Sequence, residues 1–391
     1  MRGRRRALAW LAGALVLSMT TWFSATAVVP QLREEWGISS TAAAWLTIAV
    51  QLGFVAGALL SSVLNVADVH SPRTVILVGA AGAAAANSLL AVVDGPALAV
   101  PLRFATGFFL AGVYPPALKL MATWFRAGRG TALGILVGAL TVGSAAPHLV
   151  NGLGGLDWRL VVYVTSALTL AGGVVARVAV PEGPFPFPRA TFDPRQARLV
   201  FANRAVRLAS FGYFGHMWEL YAMWAWFVVF FSHLEERARG GRIDESAAFA
   251  SFAVIAVGGI GCWVGGVLGD RWGRAETTSL MMVVSGSCAL VIGLLVGSPA
   301  WLVFVVALVW GFAVVADSAQ FSTLVTEASD QAYVGTALTL QLALGFTLTV
   351  ATIWLVPLLV DAVGWRWAFA FLAPGPALGT LAMLRLRYGK T

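Results

Sequence analysis

Apolar residues in this chain fall in runs of about twenty, separated by short polar gaps. A helix rising 1.5 Å per residue needs about 20 such residues to cross a bilayer core. Each run therefore predicts a membrane-spanning helix. Six lie near 7–29, 41–64, 74–94, 97–123, 131–150 and 159–180. After a longer break, six more lie near 207–232, 246–268, 275–297, 300–324, 333–358 and 365–386. The first run, with Arg2 to Arg6 before it and Ala25-Thr26-Ala27 near its end, has the outline of a cleavable leader. Removing it would leave eleven spans and break the internal repeat described below, so it is counted as a span.

Composition agrees. Only 11% of the 391 residues are charged and 59% are hydrophobic, against about 25% charged in a soluble domain. The net charge of +8 does not point to nucleic acid, because the basic residues sit in the gaps between spans. With the N-terminus in the cytoplasm, eighteen of the 26 Lys and Arg fall on the inner side and six on the outer. Arg103 and Lys119 alone lie within spans. That bias predicts both termini inside. Cys262 and Cys288 sit in apolar runs without disulfide or metal spacing.

The longest polar gap, 181–206, is rich in Pro and Arg and divides the spans six and six. It predicts an N-terminal half over 1–180, a cytoplasmic linker over 181–206 and a C-terminal half over 207–391. The halves repeat at a nearly constant offset. Gly130-Thr131-Ala132-Leu133 returns as Gly335-Thr336-Ala337-Leu338, Val63-Leu64 as Val267-Leu268, and Trp158-Arg159 as Trp365-Arg366. Gly57 and Gly107 match Gly261 and Gly311. Parallel repeats of this kind place a solute site at mid-membrane between the halves.

The sharpest motif is Gly265-Gly266-Val267-Leu268-Gly269-Asp270-Arg271-Trp272-Gly273-Arg274. Its glycines suit a tight inside turn, Asp270 can accept from the next helix N-terminus, and Arg271 and Arg274 can pair with acids or helix C-termini. It resembles the G-x-x-x-D-R-x-G-R loop of the major facilitator superfamily. The matching first-half loop keeps only Asp68 and Arg73. Arg103-Phe104-Ala105-Thr106-Gly107 is similar to the family's R-x-x-x-G pattern in the fourth span, where the arginine is associated with ion-coupled transport. The stretches from Ala111 to Lys119 and from Gly143 to His148 look like bacterial porters of the cyanate or nitrate type. The arginines of spans two and eight and the Gly-Asn signature of nitrate porters are absent, as is the Gly-Pro pair of drug antiporters. The resemblance implies an all-α membrane fold of twelve helices in two pseudo-symmetric halves, with helices one, four, seven and ten lining the cavity.

Polar residues inside spans are costly, about 2.5–3.5 kcal/mol for an arginine on insertion scales, and mark candidate sites. Arg103, Gly107, Leu110 and Tyr114 share a helical face in span four. His216, Glu219, Met223 and Trp226 do so in span seven, and Trp310, Asp317, Gln320 and Phe321 in span ten. With Trp22 of span one, the expected substrate contacts are Arg103, Tyr114, Trp22, Trp226, Trp310 and Gln320. Arg103 would meet an anionic group across from Glu219 and Asp317, which are expected to carry a coupling proton. Asp270, Arg271, Arg274, Asp68 and Arg73 are the expected gating loops. His148 is expected to be hydrogen-bonded near the outer end of span five, and Gln51 and Asn87 to bridge helices.

No G-x-x-x-x-G-K-[ST] loop is present, and the four His and two Cys make no nucleophile–base or metal constellation, so an enzyme is not expected. The reading is a monomeric secondary transporter in a bacterial inner membrane. It would move a small polar or anionic organic solute with H⁺ or another ion, without cofactor. An exporter of drugs or natural products, or a sensor that binds without transport, stays open. Fusions test the topology. Green fluorescent protein after residue 391 should fluoresce, and alkaline phosphatase should be active after residue 240 and inactive after residue 190. The opposite pattern would invert the assignment.

Overall fold

In a computed structural model of the chain, residues 2–125, 129–155, 157–185, 193–239, 245–330 and 333–388 are described. All regular structure among them is helical. The first span is α1 (Arg2–Ser18), followed by an irregular stretch and an outer helix α2 (Val29–Trp36). Spans two and three are α3 (Ser40–Val63) and α5 (Pro72–Ser88), joined by the one-turn α4 (Val66–Val69). Span four is broken into α6 (Pro96–Leu110) and α7 (Tyr114–Ala122), and spans five and six are α8 (Arg129–Leu153) and α9 (Trp158–Ala179). After α10 (Ala197–Ala202) come α11 (Arg204–Arg239), α12 (Glu245–Trp272) and α13 (Arg274–Ile292). Span ten is α14 (Ala300–Ala316) plus α15 (Ser318–Ala328), span eleven is α16 (Val334–Val363), and span twelve is α17 (Trp365–Ala368) with α18 (Pro374–Tyr388).

Ten of these stretches are long and apolar enough to cross a membrane on length and composition alone. With α1, which opens on four arginines, and α11, which carries His216 and Glu219, they make the expected twelve. Local signals fix many boundaries. Ser39 Oγ accepts from Ala42 N at 3.1 Å to start α3, and Asp157 caps α9 through the amides of Arg159 and Leu160. Proline occupies the first turn of α5, α6 and α7.

Within the N-terminal six spans α3 packs on α6, and α5 and α1 on α9. In the C-terminal six α12 packs on α14, and α11 and α13 on α18. The repeated glycines are where the helices touch. A Cβ on Gly107 would lie 2.0 Å from Val50 O, and one on Gly311 would lie 1.8 Å from Val254 O. Gly57 meets Phe108 O at 2.4 Å and Gly261 meets Phe312 O at 2.2 Å. Contact and counter-contact recur at the same offset, so the two groups are built on one packing plan.

The groups meet along α3–α16 and α8–α12. On α8, Gly130, Gly134 and Gly138 recur every fourth residue and face Gly266, Cys262 and Gly259 of α12. This small-residue seam lets the backbones approach closely without interdigitating side chains. Cys262 and Cys288 are buried and free.

The packing role of the glycines is testable by melting the purified protein. Gly107→Ala and Gly311→Ala should each destabilise by about 1–3 kcal/mol, because the added methyl meets backbone. Gly13→Ala, with nothing within 4 Å of its Cβ, should be neutral or slightly stabilising. Equal melting temperatures for all three would refute the contact assignment.

Candidate functional site

From Met19 to Ala25, in the middle of span one, the regular α-helix gives way to a run of turns. Apolar surroundings offer no water to the carbonyls released there. Arg103 of α6, fully buried, supplies the donors. Its Nη1 reaches Thr21 O at 3.0 Å, Ser24 Oγ at 3.0 Å and Asn87 Oδ1 at 2.8 Å. Its Nε reaches Leu46 O at 3.3 Å, and Nη2 bonds closely to Trp22 O. Asn87 extends the network to α9 through Val162 O and Ser166 Oγ, as its expected bridging role requires. This placement differs from the expected one, in which Arg103 faces Glu219 and Asp317 across the cavity. In this conformation the guanidinium is turned into the N-terminal group, toward uncharged oxygens.

Glu219 is equally enclosed in the C-terminal group. Its two oxygens accept from Trp310 Nε1 at 2.7 Å and from Ser285 Oγ at 2.8 Å. Trp310 thus contacts the carboxylate and, edge-on, Phe369. One turn earlier on α11, His216 Nδ1 lies 2.8 Å from Asp317 Oδ1, and its Nε2 lies 2.8 Å from Ser318 Oγ. Asp317 sits at the junction of α14 and α15. All of these groups lie within the C-terminal bundle. Neither acid meets a lysine or arginine among the described residues.

The surface between the two groups is aromatic. Trp22, in the broken stretch, lies 4.7 Å from Phe54 of α3, 5.8 Å from Phe346 of α16 and 6.1 Å from Tyr221 of α11, ring centre to ring centre. Phe23 lies 6.0 Å from Tyr221 and 5.7 Å from Trp224. The indole nitrogens of Trp22 and Trp224, both amide atoms of Gln51 and both ring nitrogens of His148 are buried without a partner among the described residues. The expected bridging by Gln51 and hydrogen bonding of His148 are thus not found. Tyr114 opens α7, half-buried against the same core. Phe54 and Phe346 escape sequence reading, since an aromatic in an apolar span looks the same whether it meets lipid or a partner helix.

On the side carrying the termini the groups touch. Thr131 donates to Asp270 at 3.0 Å, and Ser62 Oγ lies 3.2 Å from Thr339 Oγ1. The glycine-rich motif lies largely within α12, which runs to Trp272. Gly273, at φ 110, makes the turn alone. Gly265 and Gly269 serve close approach instead, to Ala316 O and Gln320 Oε1. Asp270 does not cap α13. Arg274 gathers the cluster, reaching Glu327 at 2.9 Å, Gln320 Oε1 at 2.9 Å and Asp270 at 3.5 Å. Gln320, expected in the substrate site, belongs to this cluster, with Nε2 on Gly265 O. Arg271 is exposed. Arg73 approaches Glu182 at 3.6 Å, and the side chain of Asp68 lies outside the described residues.

At the opposite end a cavity of about 470 Å³ separates the groups. Arg33 and Glu34 border it on one side, and His233, Glu236, Asp361 and Trp365 on the other. Trp226 also lines it, with its indole N–H held by Ile353 O. Nearby, Glu35 accepts from Arg159 and Trp158, and the Arg159 hydrogen bond holds its carboxyl below the usual range.

Known proteins match this architecture. The chain resembles the human organic anion transporter MFSD10 with a TM-score of 0.72 at 14% identity, over 97% of this chain and 99% of that one. A bacterial homolog of the human lysosomal transporter Spinster gives 0.68 at 15%, over 98% and 95%. In sequence it is 33% identical over 147 residues to a puromycin resistance protein of Streptomyces alboniger, 36% of this chain and 29% of that one. It is 27% identical over 197 residues to a probable actinorhodin transporter of Streptomyces coelicolor, 49% and 34%. With the multidrug efflux pump LfrA of Mycolicibacterium smegmatis it shares 30% over 179 residues, 45% and 35%. The matched segments thus span about a third of these relatives. The model of the Major Facilitator Superfamily matches residues 11–350. With twelve spans, a six-and-six packing plan and that match across most of its length, the chain belongs to the Major Facilitator Superfamily, a family of membrane transporters rather than enzymes.

Proposed function

We propose that this protein exports ring-bearing organic compounds across the bacterial cytoplasmic membrane in exchange for protons. The halves 1–180 and 207–391, joined by 181–206, would rock about the central aromatic cluster, with both termini in the cytoplasm and the monomer as the working unit. The observation that carries the reading is the interface itself. Trp22, Phe54, Tyr221, Trp224 and Phe346 come from both groups, and the indole N–H groups of Trp22 and Trp224 lack a partner among the described residues. A multi-ring solute offers such a surface stacking faces and hydrogen-bond acceptors together. The names of the sequence relatives, resistance and export proteins, support the same class of cargo.

The expectation from the sequence, a small polar or anionic solute, took its anion-binding residue from Arg103 facing the cavity. With its guanidinium on Thr21, Trp22 and Asn87, that reading loses its main residue, and the cyanate or nitrate likeness draws no support from the relatives. Coupling would run through Glu219 and the His216–Asp317 pair, with Glu219 and His216 on one face of α11. Their burial inside the C-terminal bundle gives proton binding a way to change how α11 packs on α13 and α14.

Proteoliposomes with an acidic lumen, followed with a pH-sensitive dye, test this with puromycin as the probe. Adding the probe should release luminal protons as it accumulates. Trp22→Ala or Tyr221→Ala should weaken apparent affinity about tenfold or more, equivalent to about 1.4 kcal/mol. Glu219→Gln should still bind, judged by thermal shift, but should release no protons. Gradient-independent behaviour with puromycin and with other multi-ring compounds would overturn the proposal. So would unchanged affinity in Trp22→Ala.

A further inference from the structure

A second cavity, of about 780 Å³, lies between α11, α18 and α16, away from the interface of the two groups. Its upper walls are apolar and face outward. Phe211 is 50% exposed, Leu378 66% and Leu381 53%, among the more exposed large apolar side chains of the molecule. Its floor is closed near Trp218 and Pro374, where α11 and α18 approach so closely that a Cβ on Gly215 would lie 2.3 Å from Gly375 O. The other end is ringed by Arg204, Arg207 and Arg385. Arg204 bonds to Arg385 O at 3.4 Å and Arg207 to Phe201 O at 2.8 Å. Among the described residues none of the three forms an ion pair. Three positive side chains along one cavity complement an anion.

From Arg204 to Trp218 is fourteen residues of helix, about 21 Å. That covers the roughly 15 Å from the bilayer surface to its midplane with space left for a headgroup. The charged end is the one at which α11 begins and α18 finishes, the side assigned to the cytoplasm by the basic residues. We propose that this groove is a binding site for one anionic phospholipid of the inner leaflet. The phosphate would rest on Arg204, Arg207 and Arg385, and an acyl chain would lie over Phe211, Leu378 and Leu381. A free phosphate would use the arginines but leave the apolar walls uncovered. A zwitterionic lipid would fill the walls but leave the three charges unbalanced. The site is independent of the transported solute.

The full-length protein, purified in neutral detergent and titrated with phosphatidylglycerol or phosphatidylcholine, tests this by native mass spectrometry. One phosphatidylglycerol should be retained under conditions that strip phosphatidylcholine. Arg207→Gln combined with Arg385→Gln should lower retention about tenfold or more. Arg177→Gln, at the cytoplasmic end of α9 in the other group, should leave it unchanged. On the unaltered protein, phosphatidylglycerol with a photoreactive acyl chain should label the α11 and α18 segments around Phe211 and Leu378. Equal retention of both lipids, or labelling spread evenly over all spans, would overturn the site. Displacement by inorganic phosphate without any acyl-chain labelling would reassign it to a soluble anion and equally reject the proposal.

Discussion

A bilayer core contains no water to satisfy a carbonyl, and this constraint organises the N-terminal group. Span one opens between Met19 and Ala25, and each freed carbonyl must find a donor or the break is prohibitively costly. Arg103 meets that need at Thr21 and Trp22 while binding Ser24, Asn87 and Leu46. One side chain from span four thereby ties down spans one, two and three. The break in turn swings Trp22 and Phe23 against Tyr221 and Trp224 of α11. The aromatic surface between the groups exists because the polar network behind it holds the chain open.

The C-terminal group is tied by the same kind of interior bonding, with Glu219 joining α11, α13 and α14 and His216 meeting Asp317 where span ten breaks. Between the groups the chemistry changes. The contacts there are glycine against glycine along α8 and α12, ring against ring at the centre, and a few hydroxyl bonds on the terminal side. Directional bonds inside each group and mostly non-directional contacts between them make the interface the place where motion costs least.

Much of this was legible in the sequence. Span positions followed from run length, and the glycine repeats marked helix contacts that recur in three dimensions. The misplaced residues share a cause, which is that helix breaks were invisible. Met19 to Ala25 contains neither proline nor glycine, so nothing announced the carbonyls that claim Arg103. Gln320 shared a helical face with Trp310 only on the assumption of an unbroken span. The helix is interrupted at Asp317, and Gln320 meets Arg274 instead. The glycines of the Gly265–Arg274 motif read as turn residues, whereas α12 continues through them and only Gly273 turns. Phe54 and Phe346 gave no signal, because apolar residues in a span do not reveal whether they meet lipid or protein.

The central claim is that the two internally bonded bundles move against each other while the N-terminal one keeps its internal contacts. Paired cysteines in a background lacking Cys262 and Cys288 test it most directly. Ser62→Cys with Thr339→Cys bridges the bundles, where the native oxygens lie 3.2 Å apart. Thr20→Cys with Thr169→Cys lies inside one bundle, with native oxygens 3.1 Å apart. Oxidation should abolish transport in the first pair, reversibly with reductant, and leave it intact in the second. Transport that survives the first crosslink, or is lost equally in both, would contradict the account.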